Sequence, residues 1–412
     1  MSDGRRVATI IALGLLVGLG PFTIDMYLPA FPQLRAEFDV TDGQVQLTLA
    51  ATTLGFAFGQ LFVGPLSDRL GRRLPLLAAN GLHVAASIGV ALAPSIEMLS
   101  VLRVFQGLGA AGGAVVAMAM VRDLFAGRRL IVALSRLALV SGAAPVIAPV
   151  VGSALMTWID WRGMFYVLAG YGVLMIAMQA IVLRETHPRG QGRGTSERFL
   201  ARYGRVLGDR VYVGVLVVAF ATWAGMFAYL SSSSLILQGV YGFSEIQFGA
   251  VFAICAVGVV LGAQVAPRIS TRFGPAITLA VATAYMAAVG AVLLVVSMTD
   301  PPAATLIVLL FLYEFGIGLV MPSVQAIGLG RHGRDAGTAA SLIGATGMFG
   351  GTLVGPVIGM FPVTSAVPMS AAVLIAGAIG VTALWAVVRP FSVPRLADED
   401  VATGEFPVQP RP

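Results

Sequence analysis

Four ionisable side chains stand inside otherwise apolar stretches of the sequence: Asp25, Arg103, Arg136 and Glu314. A charge away from water is costly, and a carboxyl group in such a place can take up and release a proton as its access to water changes. Asp25 and Arg103 fall at similar depths in their runs, so an interaction between them is open. The alternatives are a wet, interfacial Asp25 and an Arg103 that acts only as a structural partner. Glu314, in LLFLYEFGIGLVMP, has no basic neighbour in sequence. It suits a proton carrier or a ligand for a cationic group. A permanently protonated acid bonded to a neighbouring helix is the competing reading. Arg136 lies near the end of its run, from which its long side chain reaches the interface. Asp25, Arg103 and Glu314 are therefore the proton-coupling candidates.

Other polar residues in apolar runs are candidates to line a cavity: Gln60, Gln106, Tyr229, Tyr313 and Gln325. Ser231, Ser232, Ser233 and Ser234 are consecutive, so a helix points them in different directions. His83 has no second ligand at metal spacing, and no metal or cofactor is expected. GLGAAGG at 107–113 lies within an apolar run and lacks the strand–turn–helix context of a nucleotide loop, and no GxxxxGK[ST] motif occurs. No catalytic triad or catalytic carboxylate pair is supported, so an enzyme is not expected.

The elements that must position these residues follow from composition. Of 412 residues 57% are hydrophobic and only 11% charged, and the mean hydropathy is +0.88. Soluble domains carry about 25% charged residues, so the apolar excess belongs in lipid. The single cysteine, Cys255, excludes a disulfide scaffold and is expected to serve packing. Twelve runs are near the length a membrane helix needs: approximately 8–30, 45–66, 74–93, 97–119, 131–155, 163–183, 212–235, 246–266, 276–298, 303–327, 337–360 and 366–388. Backbone hydrogen bonding inside lipid makes them helices. The N-terminal run exceeds signal-peptide length and reads as a retained first span.

The net charge is +6 and every basic residue is arginine. Placing the N-terminus inside puts all but four arginines in inner loops and tails; Arg35 and Arg162 are outside, and Arg103 and Arg136 lie within spans. This is membrane topology rather than a nucleic-acid surface. Residues 1–183 form one set of six spans and 212–388 a second. Residues 184–211 form a basic linker expected to lie on inner-leaflet lipid, and 389–412 a tail expected to be disordered. The halves echo each other: APVVG at 148–152 with GPVIG at 355–359, and DRLG at 68–71 with TRFG at 271–274. The fold class expected is an all-α membrane protein of twelve transmembrane helices in two pseudo-symmetric six-helix halves, with a cavity between them.

GPLSDRLGRR at 64–73 concentrates charge between two apolar runs. It resembles the signature of the loop after the second helix in the major facilitator superfamily, matched by Gly64, Asp68, Arg69, Gly71, Arg72 and Arg73. The resemblance implies a gate in which Asp68 contacts the inner end of the eleventh helix, where the dipole favours a carboxylate. A plain positive-inside loop would explain the arginines but not Asp68. SGAAPVIAPVVGS at 141–153 is similar to the fifth-helix motif of that superfamily's proton-coupled antiporters. Gly142 and Gly152 are expected to allow close packing there, and Pro145 and Pro149 to bend the helix. TIDMYLPAFP at 23–32, RVFQG at 103–107, VRDLF at 121–125, WRGMFYV at 161–167 and GTAASLIG at 337–344 resemble the bicyclomycin and chloramphenicol resistance branch of the drug:proton antiporters. The resemblance covers residues 8–388. It implies a monomer exporting small amphiphilic drugs by alternating access, driven by protons. A metabolite exporter, for an amino acid or sugar, is the alternative.

The arginine bias predicts that both termini lie on the inner side. Reporter fusions after residues 188 and 395 should both read as cytoplasmic, and an outer location for either breaks the twelve-span topology.

Overall fold

The computed structural model describes residues 3–125, 127–186, 199–332 and 335–392. Among them are twelve helices long and apolar enough to cross a membrane. They are α1 (Val7–Phe38), α2 (Asp42–Leu70), α3 (Arg73–Ala91), α4 (Ile96–Leu124), α5 (Val132–Leu155), α6 (Trp161–Ile181), α7 (Arg210–Val240), α8 (Glu245–Phe273), α9 (Pro275–Ser297), α10 (Ala303–Gly330), α11 (Ala336–Ile358) and α12 (Val367–Val388). The described residues contain no strand. Large apolar side chains such as Phe62, Leu92 and Ile181 stay exposed, as lipid-facing surface should. The expected disordered tail lies largely outside the described residues.

Helices α1–α6 and α7–α12 form two halves built on one plan. The N-cap Thr41 makes a capping box with Gln44, and Ser244 makes the same box with Gln247, 203 residues later. Each N-cap oxygen satisfies a helix N–H that has no partner within its own helix. At the same offset, Gly55 and Gly59 of α2 correspond to Gly258 and Gly262 of α8. A side chain at Gly55 would run into the Val104 carbonyl of α4, and one at Gly262 into the Phe315 carbonyl of α10. The two pairs let backbones touch, which drives helix association in lipid. Both helices end on a glycine of positive φ, Gly71 at 84° and Gly274 at 88°, a backbone that other residues adopt with strain.

Helix α1 runs longer than the expected 8–30. After Asp25 it continues through a 3-10 turn, Leu28–Ala30, into Phe31–Phe38. Pro29 and Pro32 each fall in the first positions of a helical segment, where the missing N–H breaks no bond. Glu37 pins the extension to α6: Trp161 Nε1 donates to its Oε2 at 2.5 Å, and Arg162 donates to Oε1. Asp25 thereby lies near the middle of its helix.

The halves meet along α2 with α11 and α5 with α8. These contacts gather in mid-membrane and toward the arginine-poor end. Thr53 and Thr352 hydroxyls are 3.1 Å apart, Gln238 Nε2 donates to the Pro29 carbonyl at 3.1 Å, and Val363 N donates to Asp42 Oδ2 at 3.2 Å. At the arginine-rich end the approach is looser; a side chain at Gly337 would meet Arg122 Nη1 at 3.8 Å. Within the linker, a short helix, Phe199–Leu207, belongs with the second half. Arg205 pairs with Asp335 at 3.1 Å and Arg331 with Asp209 at 2.6 Å. Burial works against the Asp209 carboxylate, but Arg331 outweighs it and lowers its pKa below the ordinary value.

Candidate transport site and gate

The mid-membrane site is assembled from stretches far apart in sequence. Thr23 donates its hydroxyl to the Leu19 carbonyl at 2.6 Å. It therefore accepts from His83 Nε2 at 2.9 Å, which places the His83 proton on Nε2. Ser87 donates to the His83 carbonyl at 2.7 Å and accepts from Gln106 Nε2 at 2.8 Å. Arg103 Nη1 donates to Gln106 Oε1 at 2.6 Å and to the Thr23 carbonyl at 2.9 Å. The Arg103 guanidinium lies 3.9 Å from the centre of the Tyr27 ring, a cation–π contact that desolvation strengthens. Tyr27 donates in turn to Thr48 at 3.1 Å. This network ties α1, α2, α3 and α4 together within the first half.

Arg103 forms no ion pair with Asp25. Their charges interact, but the described hydrogen bonds of Arg103 go to Thr23 and Gln106. Asp25 Oδ1, Arg103 Nε and Arg103 Nη2 are buried with no hydrogen-bond partner among the described residues. Across the seam, Glu314 is equally buried, and its Oε1 has no partner. Asp25 and Glu314 lie within electrostatic range of each other, as do both with Tyr229. Tyr229 sits beside the Cys255 thiol and stacks on Phe252 with ring centres 5.6 Å apart. Two buried carboxyl groups from opposite halves thus act on each other, and like charges disfavour joint ionisation.

The other sequence candidates are placed as follows. Both polar groups of Gln106 are used inside the Arg103 network. The Gln60 amide abuts Gly344 of α11, at the seam. The Tyr313 hydroxyl abuts Gly225 of α7, inside the second half. Gln325 is exposed on α10, away from the buried cluster. Arg136 is exposed on α5. All four serines at 231–234 are buried. After them α7 widens into a π-helix, Leu235–Val240, a form common at functional sites. In α5, Pro145 and Pro149 lie inside a continuous helix. Gly152 packs against the Met26 carbonyl of α1, as expected, but Gly142 does not pack closely: it is exposed and a side chain there would meet nothing within 4 Å. It falls on the face of α5 that also exposes Leu139.

The gate loop differs from expectation in what it touches. Asp68 pairs with Arg72 four residues on. Arg72 Nε donates to Asp123 Oδ2 at 2.9 Å, and its backbone N–H to Glu185 Oε1 at 2.8 Å. Burial opposes the Arg72 charge, but the Asp123 and Asp68 carboxylates prevail and raise its pKa. Arg73 N donates to Glu185 Oε2 at 3.1 Å, and Arg69 is exposed. Gly64 lets α2 approach Val115 of α4. All these contacts lie in the first half. Among the described residues Asp68 makes no contact with the eleventh helix; it is largely exposed and bonds to Arg72 on its own loop.

Sequence reasoning assigned no role to Asp123, Trp161, Arg162 or Glu185. The first three stand within VRDLF and WRGMFYV, yet their partners are 51 to 125 residues away. His83, without a second ligand at metal spacing, is a packed, hydrogen-bonded histidine, and its partner Thr23 is 60 residues distant.

A family model described as Major Facilitator Superfamily matches residues 13–353. The chain is 36% identical to an uncharacterized MFS-type transporter, YdgK, of Bacillus subtilis, over 93% of this chain and 96% of the relative. It is 31% identical to a bicyclomycin resistance protein homolog of Haemophilus influenzae, over 87% and 91%. Multidrug resistance protein D of Escherichia coli is 27% identical over 88% and 91%. A solved bacterial homolog of the human lysosomal transporter Spinster, inward-facing and unoccupied, superposes with a TM-score of 0.75 at 17% identity, covering 97% of this chain and all of that one.

Asp68→Asn should lower transport by about tenfold or more, the loss expected when a charged hydrogen-bond partner is removed, while membrane abundance stays normal. Transport at the parent's rate and abundance removes Asp68 from the mechanism.

Proposed function

Because the chain belongs to the major facilitator superfamily, we propose that it is a proton-coupled antiporter that exports small amphiphilic drugs, antibiotics among them, across the bacterial inner membrane by alternating access. It is a multi-pass transport protein rather than an enzyme. The observation that carries the reading is the presence of two buried acids, Asp25 and Glu314, in opposite halves, within electrostatic range of each other and without a direct basic partner among the described residues.

With the cavity open to the inside, a drug enters between the halves and meets aromatic surface at Tyr229 and Phe252. Asp25 releases its proton to the inner solution on this side and regains one after the halves rock. The mutual repulsion of the two carboxylates makes the state without protons costly unless a ligand compensates it. Arg103, held by its network, sets the field at Asp25 and stays in place through the cycle. Glu314 contacts the drug or carries a second proton. The names of the relatives, bicyclomycin resistance protein and multidrug resistance protein D, support small antibiotics as the substrates. Gly64, Asp68, Arg69, Gly71, Arg72 and Arg73 close the inner end in the opposite state.

Asp25→Asn should abolish uphill export of chloramphenicol or bicyclomycin in vesicles while leaving passive exchange of the same drug. Glu314→Gln should weaken drug binding or reduce the protons moved per drug. If both variants keep a drug-dependent proton flux like the parent's, neither acid is the carrier.

A further inference from the structure

We propose that Asp42 is a positioning residue of the transport cycle, whose carboxylate latches α2 to the α11–α12 connection and keeps the arginine-poor end of the two halves shut. The inference rests on the alternating-access reading above. Asp42 stands in the first turn of α2, where the helix dipole favours a negative charge. It is 7% exposed. One oxygen pairs with Arg35 Nη1 at 3.0 Å, and Arg35 belongs to the α1 extension of the same half. The other oxygen accepts from the backbone N–H of Val363, at 3.2 Å, on the opposite half.

The surroundings suit a seal that forms and breaks as a unit. Gly43 and Gly359 press together so closely that a side chain at either position would strike the other's backbone. Gln238 Nε2 reaches the Pro29 carbonyl across the same seam. Gln46, fully buried against Gly359, has no hydrogen-bond partner for either atom of its amide. An unpaired buried amide opposes closure, so the Asp42 contact works against a built-in tendency to open.

Helix α2 therefore carries an acid at each end, 42 and 68, about 39 Å apart along the helix at 1.5 Å per residue. In this structure the first bonds to the opposite half and the second bonds only within its own. When the halves rock, separation at the arginine-poor end must break the Val363 bond as the other end closes over Asp68. One rigid helix thus couples the two gates, and their contacts exclude each other.

Spin labels at Asp39→Cys and Met360→Cys, both exposed at the arginine-poor end, report the seam in reconstituted protein with Cys255→Ala. Pulsed distance measurement without drug or proton gradient gives the open-to-closed ratio. Asp42→Ala should raise that ratio about tenfold. Asp42→Asn keeps an acceptor for Val363 but loses the charge pairing with Arg35, and should raise it about threefold, as should Arg35→Ala. If Asp42→Ala does not accumulate, the other two variants decide. Distributions unchanged from the parent's in every variant recovered would overturn the latch. Because no substrate enters the readout, a failed drug assignment leaves this result standing.

Discussion

A carboxyl group in the hydrocarbon has no inexpensive resting state. Ionised it lacks water, and protonated it is ready to lose its proton at the first contact with water. Here two such groups, Asp25 and Glu314, come from different halves, are both buried, and lie within electrostatic range of each other. Their environment therefore depends on how the halves are arranged. In the antiport proposed above, that dependence is what links proton occupancy to conformation.

The first half supplies rigidity. Arg103 would be costly at 0% exposure without its hydrogen bonds and the Tyr27 ring. The chain from Thr23 through His83, Ser87 and Gln106 fixes the guanidinium near Asp25 without neutralising it in a direct pair. Gly152 brings α5 onto α1 one residue past Asp25, at the Met26 carbonyl. The second half offers softer groups: the Tyr229 hydroxyl beside the Cys255 thiol, a Ser232 hydroxyl without a hydrogen-bond partner among the described residues, and a π-turn that follows the serines.

Much of this was legible in the sequence because lipid leaves a chain few choices. Apolar runs become helices, arginine clusters become loops, and DRLG with TRFG marks the repeat. The repeat goes deeper than those motifs, down to capping boxes and paired glycines at one offset. Errors arose where local rules met tertiary contacts. The first apolar run reads as 8–30, yet Pro29 and Pro32 each begin a further helical segment and Glu37 anchors the extension. Gly142 read as a packing residue because its type is right, but its face points away from the other helices. Asp68 reads as touching the second half, but in this structure it pairs with Arg72 on its own loop. Partners 50 or more residues apart, such as Arg72 with Asp123, leave no local signal.

The central claim is that drug and proton move in opposite directions through one site. The direct measurement uses the parent protein in sealed liposomes with a pH-sensitive dye inside and no imposed pH gradient. A chloramphenicol gradient directed outward should draw protons inward, so that the lumen acidifies at a rate that follows drug efflux. Drug efflux with no change in luminal pH would contradict the account.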